Sequence, residues 1–285
     1  MTRTSHHTPD YDSTAKGNFK LDYHLEMLSD RERVEQFKKG IDKVVTKDTV
    51  FCELGCGTGV FSIYAARKAK KVYAIELDEE VYKFAKKNIE ASGLTNIELI
   101  HANAMEVELP EKVDVVFAEM LSIWMIHEPQ LLVMNSAVKR LLKPKGITIP
   151  EKIVNLLEVC NTDYIFDNIE MRAPIAQFTG IKQPRILTTS IVFDSYKLNE
   201  VNPETVNGSI ATTSITSGIA NSVRLSSLVK ICDGVNFFTT DTLMPQTIFP
   251  LEEELFINDG EEISINAQFN FRSELNDVTF SIAKH

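Results

Sequence analysis

From Thr49 onward, short apolar runs alternate with amphipathic stretches, which predicts a layered α/β domain. Val50, Phe51, Cys52 and Leu54 run almost continuously, the pattern of a strand buried on both faces, so Thr49–Leu54 is the first predicted strand. A glycine-rich turn follows, then a helix through Ser62–Ala66 and a second strand at Lys71–Ile75. Across Asp78–Ser92 the apolar positions Val81, Phe84, Ala85 and Ile89 share one helical face. Acids stand in its first turn, lysines come later, and Gly93 stops it. Ile97–His101 and Val113–Ala118 read as strands, Glu128–Leu142 as a helix and Gly146–Ile149 as a strand before Pro150. Strands alternating with helices imply a parallel sheet wound by right-handed crossovers.

After Pro150 the texture changes to Thr, Ser, Val, Ile and Phe, with β-type runs at Thr188–Phe193 and Glu262–Phe271. Turn signals at Asn207-Gly208, Asp233-Gly234 and Asp259-Gly260 complete the pattern of an antiparallel β domain. A less regular stretch, 161–184, reads as an arm. Ahead of Thr49 the pattern over 19–45 is helical, and residues 1–18 are polar enough to form a disordered tail. The expected organisation is that tail, a Rossmann-like α/β domain over 19–150 and a β-barrel domain over 151–285.

Composition narrows the functional classes. The chain has 285 residues, 44% of them hydrophobic and 25% charged, as an ordinary soluble globular protein does. A net charge of −10 argues against a nucleic-acid partner, whose phosphates need Lys and Arg. It suits a cationic partner, or solubility alone. Cys52, Cys56, Cys160 and Cys232 form no metal-binding spacing, so no metal is expected, and Cys52 and Cys56 read as small core residues. The first eighteen residues carry no apolar signal segment, and no run approaches the length of a membrane span. A cytoplasmic protein is expected. Asn207-Gly-Ser then matches the glycosylation pattern by coincidence, and His6 and His7 belong to a loose tail.

The sharpest chemical signal is Glu53-Leu-Gly55-Cys56-Gly57-Thr-Gly59, between a strand and a helix. Glycines there let the chain turn tightly and let a ligand approach the backbone. The dinucleotide fingerprint needs a third glycine where Val60 stands, which disfavours a nicotinamide cofactor. Glu76 ends the next strand about 20 residues on, where an acid can accept ribose hydroxyls. Glu53 is placed to order the loop or to meet a ligand's amino group. A plain strand-turn-helix is the alternative.

The loop resembles motif I of class I S-adenosylmethionine-dependent methyltransferases, and the chain resembles the protein arginine methyltransferase family. The first further segment is His24-Leu-Glu26-Met27-Leu28-Ser-Asp30-Arg-Glu-Arg33, similar to the family's helix that closes over the cofactor. It is otherwise an ordinary amphipathic helix. The second runs from Asp114 through Glu119 and Trp124 to Glu128. It resembles the family's double-glutamate loop, though the residues between the two acids differ from the family's. The alternative is that those acids are merely a strand end and a helix cap, and Trp124 either packs or lines the pocket. The third, Gln246-Thr247-Ile-Phe249-Pro with Asp259-Gly260 after it, is similar to the family's late barrel strands.

The resemblance implies an S-adenosyl-L-methionine cofactor. It implies contacts to that cofactor from His24, Met27, Arg33, Glu53, Gly55, Cys56, Gly57, Glu76, Leu77, Ala104 and Met105, with Arg33 meeting its carboxylate. It implies Glu119 and Glu128 as the catalytic pair that holds a guanidinium. The implied acceptor is a protein, with a small-molecule acceptor or a non-catalytic cofactor-binding scaffold as the alternatives, and the implied assembly is a homodimer joined through the 161–184 arm. The chain departs from the family in three places. Met105 replaces the acid that meets the adenine. Thr242, Leu243 and Met244 stand where the family has Thr-His-Trp. Tyr11 and Tyr23 are out of register with its tyrosine pair.

Overall fold

The buried run Val50–Leu54 (β1) forms the centre of a parallel sheet. Lys71–Glu76 (β2), Ile97–His101 (β3), Val113–Ala118 (β4) and Leu142–Ile149 (β5) complete it in the order β3-β2-β1-β4-β5. The structure is a computed structural model that describes residues 27–177 and 182–285, so the tail expected at 1–18 and His24 lie outside the described residues. Among the described residues the sheet is accompanied by the helices Arg31–Val44 (α1), Val60–Ala66 (α2), Glu79–Ser92 (α3) and Gln130–Arg140 (α4). Asp78 caps α3 by accepting the Glu80 and Val81 N–H groups, and Gly93 ends it in the left-handed region. The order of the sheet reverses between β1 and β4. Such a switch point opens a crevice beyond the carboxyl ends of the strands.

Two boundaries differ from the pattern. Helix α4 begins at Gln130, after Pro129, and leaves Glu128 outside it. Strand β5 begins at Leu142, because Lys145 takes a left-handed φ of 64° and a bulge carries the chain past it without ending the strand.

The remainder is antiparallel. Its strands are Lys152–Asn161 (β6), Ile165–Phe166 (β7), Ile169–Glu170 (β8), Ile175–Gln177 (β9), Arg185–Ile186 (β10) and Ile191–Lys197 (β11). Thr205–Thr213 (β12), Gly218–Cys232 (β13), Val235–Phe238 (β14), Gln246–Ile257 (β15), Glu262–Asn270 (β16) and Thr279–Lys284 (β17) follow. A curled sheet ordered β10-β6-β13-β15-β9, with β11 also on β6 and β14 also on β13, faces the three-stranded sheet β12-β16-β17. The architecture is a Rossmann-like methyltransferase domain followed by a β-barrel.

Asp233-Gly234 and Asp259-Gly260 do turn the chain, with both glycines left-handed. Asn207-Gly208 does not: it lies inside β12, paired with Gln268 and Ala267. A Cβ on Gly208 would stand 3.4 Å from the Phe193 ring, so that glycine makes room for an aromatic side chain. Thr188 is drawn out of its predicted strand because its buried hydroxyl accepts the Val159 N–H. The expected arm contains the β7–β8 hairpin, turned by Asp167 and Asn168 at φ 49° and 65°. It also contains β9, which joins the barrel sheet against β15.

One hydrophobic core runs through both parts. Phe37 of α1 touches Phe61 and Phe117 on one side and Phe237 of the barrel on the other. Trp124, in the loop after β4, is fully buried among Phe193, Phe269 and Phe280. Its indole N–H reaches the Ser226 and Leu156 carbonyls at 2.9 and 3.2 Å. This side chain packs and does not line the cleft.

Trp124→Ala should therefore cost about 3–5 kcal/mol, the scale for deleting a buried aromatic. Trp124→Phe should cost less, keeping the packing and losing the N–H donor. Urea denaturation would show it. A Trp124→Ala midpoint equal to that of the unaltered chain would refute this role.

Candidate active site

Three strands deliver acids to the crevice at the switch point. Glu53 lies in β1, Glu76 ends β2, and Glu119 follows β4. Between β1 and α2 the chain turns through Gly55, Gly57 and Gly59 at φ 68°, 54° and 82°. These are left-handed values that favour glycine. A Cβ on Gly55 would approach the Met120 Cε to 3.0 Å, so the glycine keeps this wall of the cleft open. Glu76 is fixed by three backbone donors: Gly57 N–H at 2.8 Å on one oxygen, Leu77 and Asp78 N–H at 2.8 and 2.9 Å on the other. A carboxylate offers about four acceptor positions, and so one stays open toward a ligand. Burial raises its pKa despite those bonds.

Glu53 is buried completely and accepts the Ser62 hydroxyl. Burial pushes its carboxyl up to about 8. Burial also holds the Cys56 thiol well above its ordinary value, so Cys56 is an inert wall residue here.

The loop from Glu119 to Glu128 is pinned at each end. Buried Gln130 accepts the Met120 N–H at 2.8 Å and donates to the Ala118 carbonyl at 3.0 Å, gripping the backbone on both sides of Glu119. At the far end the Ser122 hydroxyl accepts the His127 and Glu128 N–H groups, each at 3.1 Å. Glu119 forms a buried ion pair with Arg33 of α1. Asp30 caps α1, and its other oxygen accepts the Leu243 N–H at 2.9 Å, tying the helix to the barrel loop 242–244. The Leu243 side chain itself is exposed.

On the opposite wall, α4 holds the main chain where the family's acid is missing. Ser136 donates to the Met105 carbonyl at 2.8 Å and Arg140 to the Ala104 carbonyl at 3.3 Å.

One cleft is lined by Met27, Arg33, Glu53, Gly55, Cys56, Gly57, Glu76, Leu77, Ala104, Met105, Glu119 and Glu128. His24 is outside the described residues. The other residues that the resemblance implies as cofactor contacts or as the catalytic pair all border this one cavity, while Trp124 and the 242–244 loop do not. Residues 51–146 match the family model described as a methyltransferase domain. The chain is 30% identical over 261 residues to an uncharacterised protein of Methanocaldococcus jannaschii, covering 91% of this chain and 96% of that one. It is 34% identical over 131 residues to the probable protein arginine N-methyltransferase 6 of Arabidopsis thaliana, covering 45% of this chain and 30% of that protein. Its fold matches that of the Trypanosoma brucei PRMT1 enzyme–prozyme heterotetrameric complex with AdoHcy. The TM-score is 0.78 at 19% identity, covering 95% of this chain and 98% of the other.

The chain belongs to the S-adenosylmethionine-dependent methyltransferases, with the fold of the protein arginine methyltransferases.

The methyltransferase uses S-adenosylmethionine, and the cleft fits that group: glycines open one wall, and a fixed acid keeps an acceptor position free. Several residues that build the methyltransferase's site were not singled out from its sequence. Gln130 and Ser122 read there as ordinary polar residues, although a glutamine in the first turn of an apolar helix is a signal in retrospect. Asp30 stood inside a quoted motif without a role. Arg272, on the cleft wall, lies far down the barrel sequence.

The pKa of Glu53 makes the methyltransferase's stability pH-dependent. Its folded value lies above the ordinary 4.5, so the fold binds this proton more tightly than the unfolded chain does. That stabilisation is complete below about pH 4.5 and is lost as pH rises through about 8. Glu53→Gln should flatten the decline in stability across this window. An unchanged slope of denaturation midpoint against pH would show that the carboxyl titrates normally.

Proposed function

We propose that the methyltransferase transfers its methyl group to a guanidinium nitrogen of an arginine in a protein. The observation that carries this reading is the pair Glu119 and Glu128. They stand at the two ends of a loop pinned by Gln130, Ser122 and Trp124, and both line the cleft. Glu119 already holds one guanidinium, that of Arg33.

When bound, S-adenosylmethionine supplies an electrophilic methyl on a sulfonium sulfur, which departs as a neutral thioether. The chain's own residues do the rest. Arg33 takes the cofactor's carboxylate, Glu53 its amino group and Glu76 its ribose, while the Ala104–Met105 main chain borders the adenine. A free guanidinium is protonated and a poor nucleophile. Glu119 and Glu128 grip it by charge-assisted hydrogen bonds. They draw its positive charge toward the nitrogens they contact, leaving the third nitrogen richer in electrons and aimed at the methyl; as the nitrogen–methyl bond forms the sulfur–methyl bond breaks, and the proton released from that nitrogen passes through the Glu128 carboxylate to solvent. Most of the gain is positional. The segment that ends at Arg33, tied through Asp30 to the barrel loop and lining the cleft with Met27 and Leu28, closes over the cofactor and keeps water out.

A second reading, a small-molecule acceptor, draws support from the loop 242–244. The family's histidine is replaced by Leu243, whose exposed side chain offers no acid–base group. For assembly the reading is a homodimer through the arm, whose Ile165, Phe166, Ile169 and Met171 are exposed apolar residues. A monomer in sedimentation would count against it. The four free cysteines suit a reducing cytoplasm.

Glu128→Gln should keep cofactor affinity in calorimetry and lose turnover by a hundredfold or so, the scale for one transition-state electrostatic partner. Glu119→Gln should lose turnover and weaken cofactor binding as well, because Arg33 loses its partner. Near-normal turnover in both variants would leave the acceptor without its anchor and transfer the argument to the small-molecule reading.

A further inference from the structure

The cleft is rich in carboxylates, and two cations stand on its wall, Arg33 and Arg272. Arg33 is paired with Glu119. Arg272 has no acidic partner among the described residues. Its backbone is held firmly on both sides. Phe271 is buried edge-on against Tyr196 and donates its N–H to the Glu204 carbonyl at 3.1 Å. Ser273 donates its N–H to the Ile126 carbonyl at 3.0 Å, in the loop that ends at Glu128. Between them Arg272 takes φ 65°, a conformation that favours glycine. The barrel therefore presents an arginine to the cleft from a position where the backbone alone would select glycine. Non-glycine residues held in this region cluster at functional sites.

We propose that Arg272 is a specificity residue that receives a carboxylate of the acceptor, so that the preferred acceptor carries an acidic group beside its guanidinium. The inference rests on the guanidinium reading above. In a chain of net charge −10, an anionic group entering a cleft lined by Glu76, Glu119 and Glu128 is repelled unless a cation receives it. A guanidinium does so with paired, directional hydrogen bonds. The carboxylate has two possible sources, a neighbouring Asp or Glu side chain in a peptide or the α-carboxylate of a free guanidino acid.

Four probes separate the cases: an alanine-based peptide with one arginine flanked by Glu, its Gln twin, free arginine, and the decarboxylated counterpart agmatine. The unaltered enzyme should prefer the acidic member of one pair by roughly tenfold or more in kcat/KM, mainly through KM, the scale for one charge-assisted bond. Preference within the peptide pair assigns the carboxylate to a side chain, and preference within the arginine–agmatine pair assigns it to the α-carboxylate. Arg272→Gln and Arg272→Gly should each collapse that preference, and Arg272→Lys should restore part of it. The glycine variant relieves the backbone, so a loss of preference shared by the glutamine and glycine variants reports the missing guanidinium and not a change in backbone strain. Affinity for S-adenosylhomocysteine should not change in these variants; a weakened affinity would make Arg272 a cofactor contact and overturn the proposal. Equal rates within both pairs would overturn it while leaving the guanidinium reading intact. No methylation of any probe would overturn both.

Discussion

The burial of Trp124 is the constraint on which the rest of the site depends. A loop leaving a parallel sheet at its switch point is ordinarily free to move, yet this one drives its central residue into the barrel core. Trp124 and Met125 hold left-handed φ values of 53° and 56° to do so. The indole N–H is answered by two barrel carbonyls, and three phenylalanines enclose the ring. Such strain persists only where the surroundings over-determine it. With its middle fixed, the loop has two ends of defined position, and an acid stands at each.

Around that fixed loop the charges form a chain of dependence. Glu119 faces Arg33, Arg33 sits on a helix capped by Asp30, and Asp30 also holds the backbone of the barrel loop at Leu243. One carboxylate, that of Asp30, thus joins α1 to the barrel. At Leu243 that connection is made by a backbone N–H. At Ala104 and Met105, α4 side chains fix the main-chain carbonyls that border the cleft.

Much of the α/β half was legible because its strands are buried on both faces and its helices carry ordinary caps. The glycine turn and the acids at strand ends were legible for the same reason: left-handed turns and switch-point positions leave marks in a sequence. The barrel was legible as a class but less so in detail. Gly208 looked like a turn because a glycine that makes room for Phe193 cannot be told from one that bends a chain. The three-residue strand β9 is too short to carry a period. Gln130 and Arg272 could not be placed, because their roles come from contacts made by segments distant in sequence. Glu128 looked like a helix residue because Pro129, after it, is compatible with a helix start.

The central claim is that this cleft delivers a methyl group to a guanidinium nitrogen. Incubating the full chain with methyl-labelled S-adenosylmethionine and a pool of peptides and small amines, then identifying the labelled product by mass spectrometry, tests it most directly. The account predicts label on the nitrogen of an arginine side chain, accumulating about a hundredfold more slowly when Glu128 is replaced by Gln. Label on a carboxylate, an imidazole or an alkyl amine, with arginine left unmodified, would contradict it.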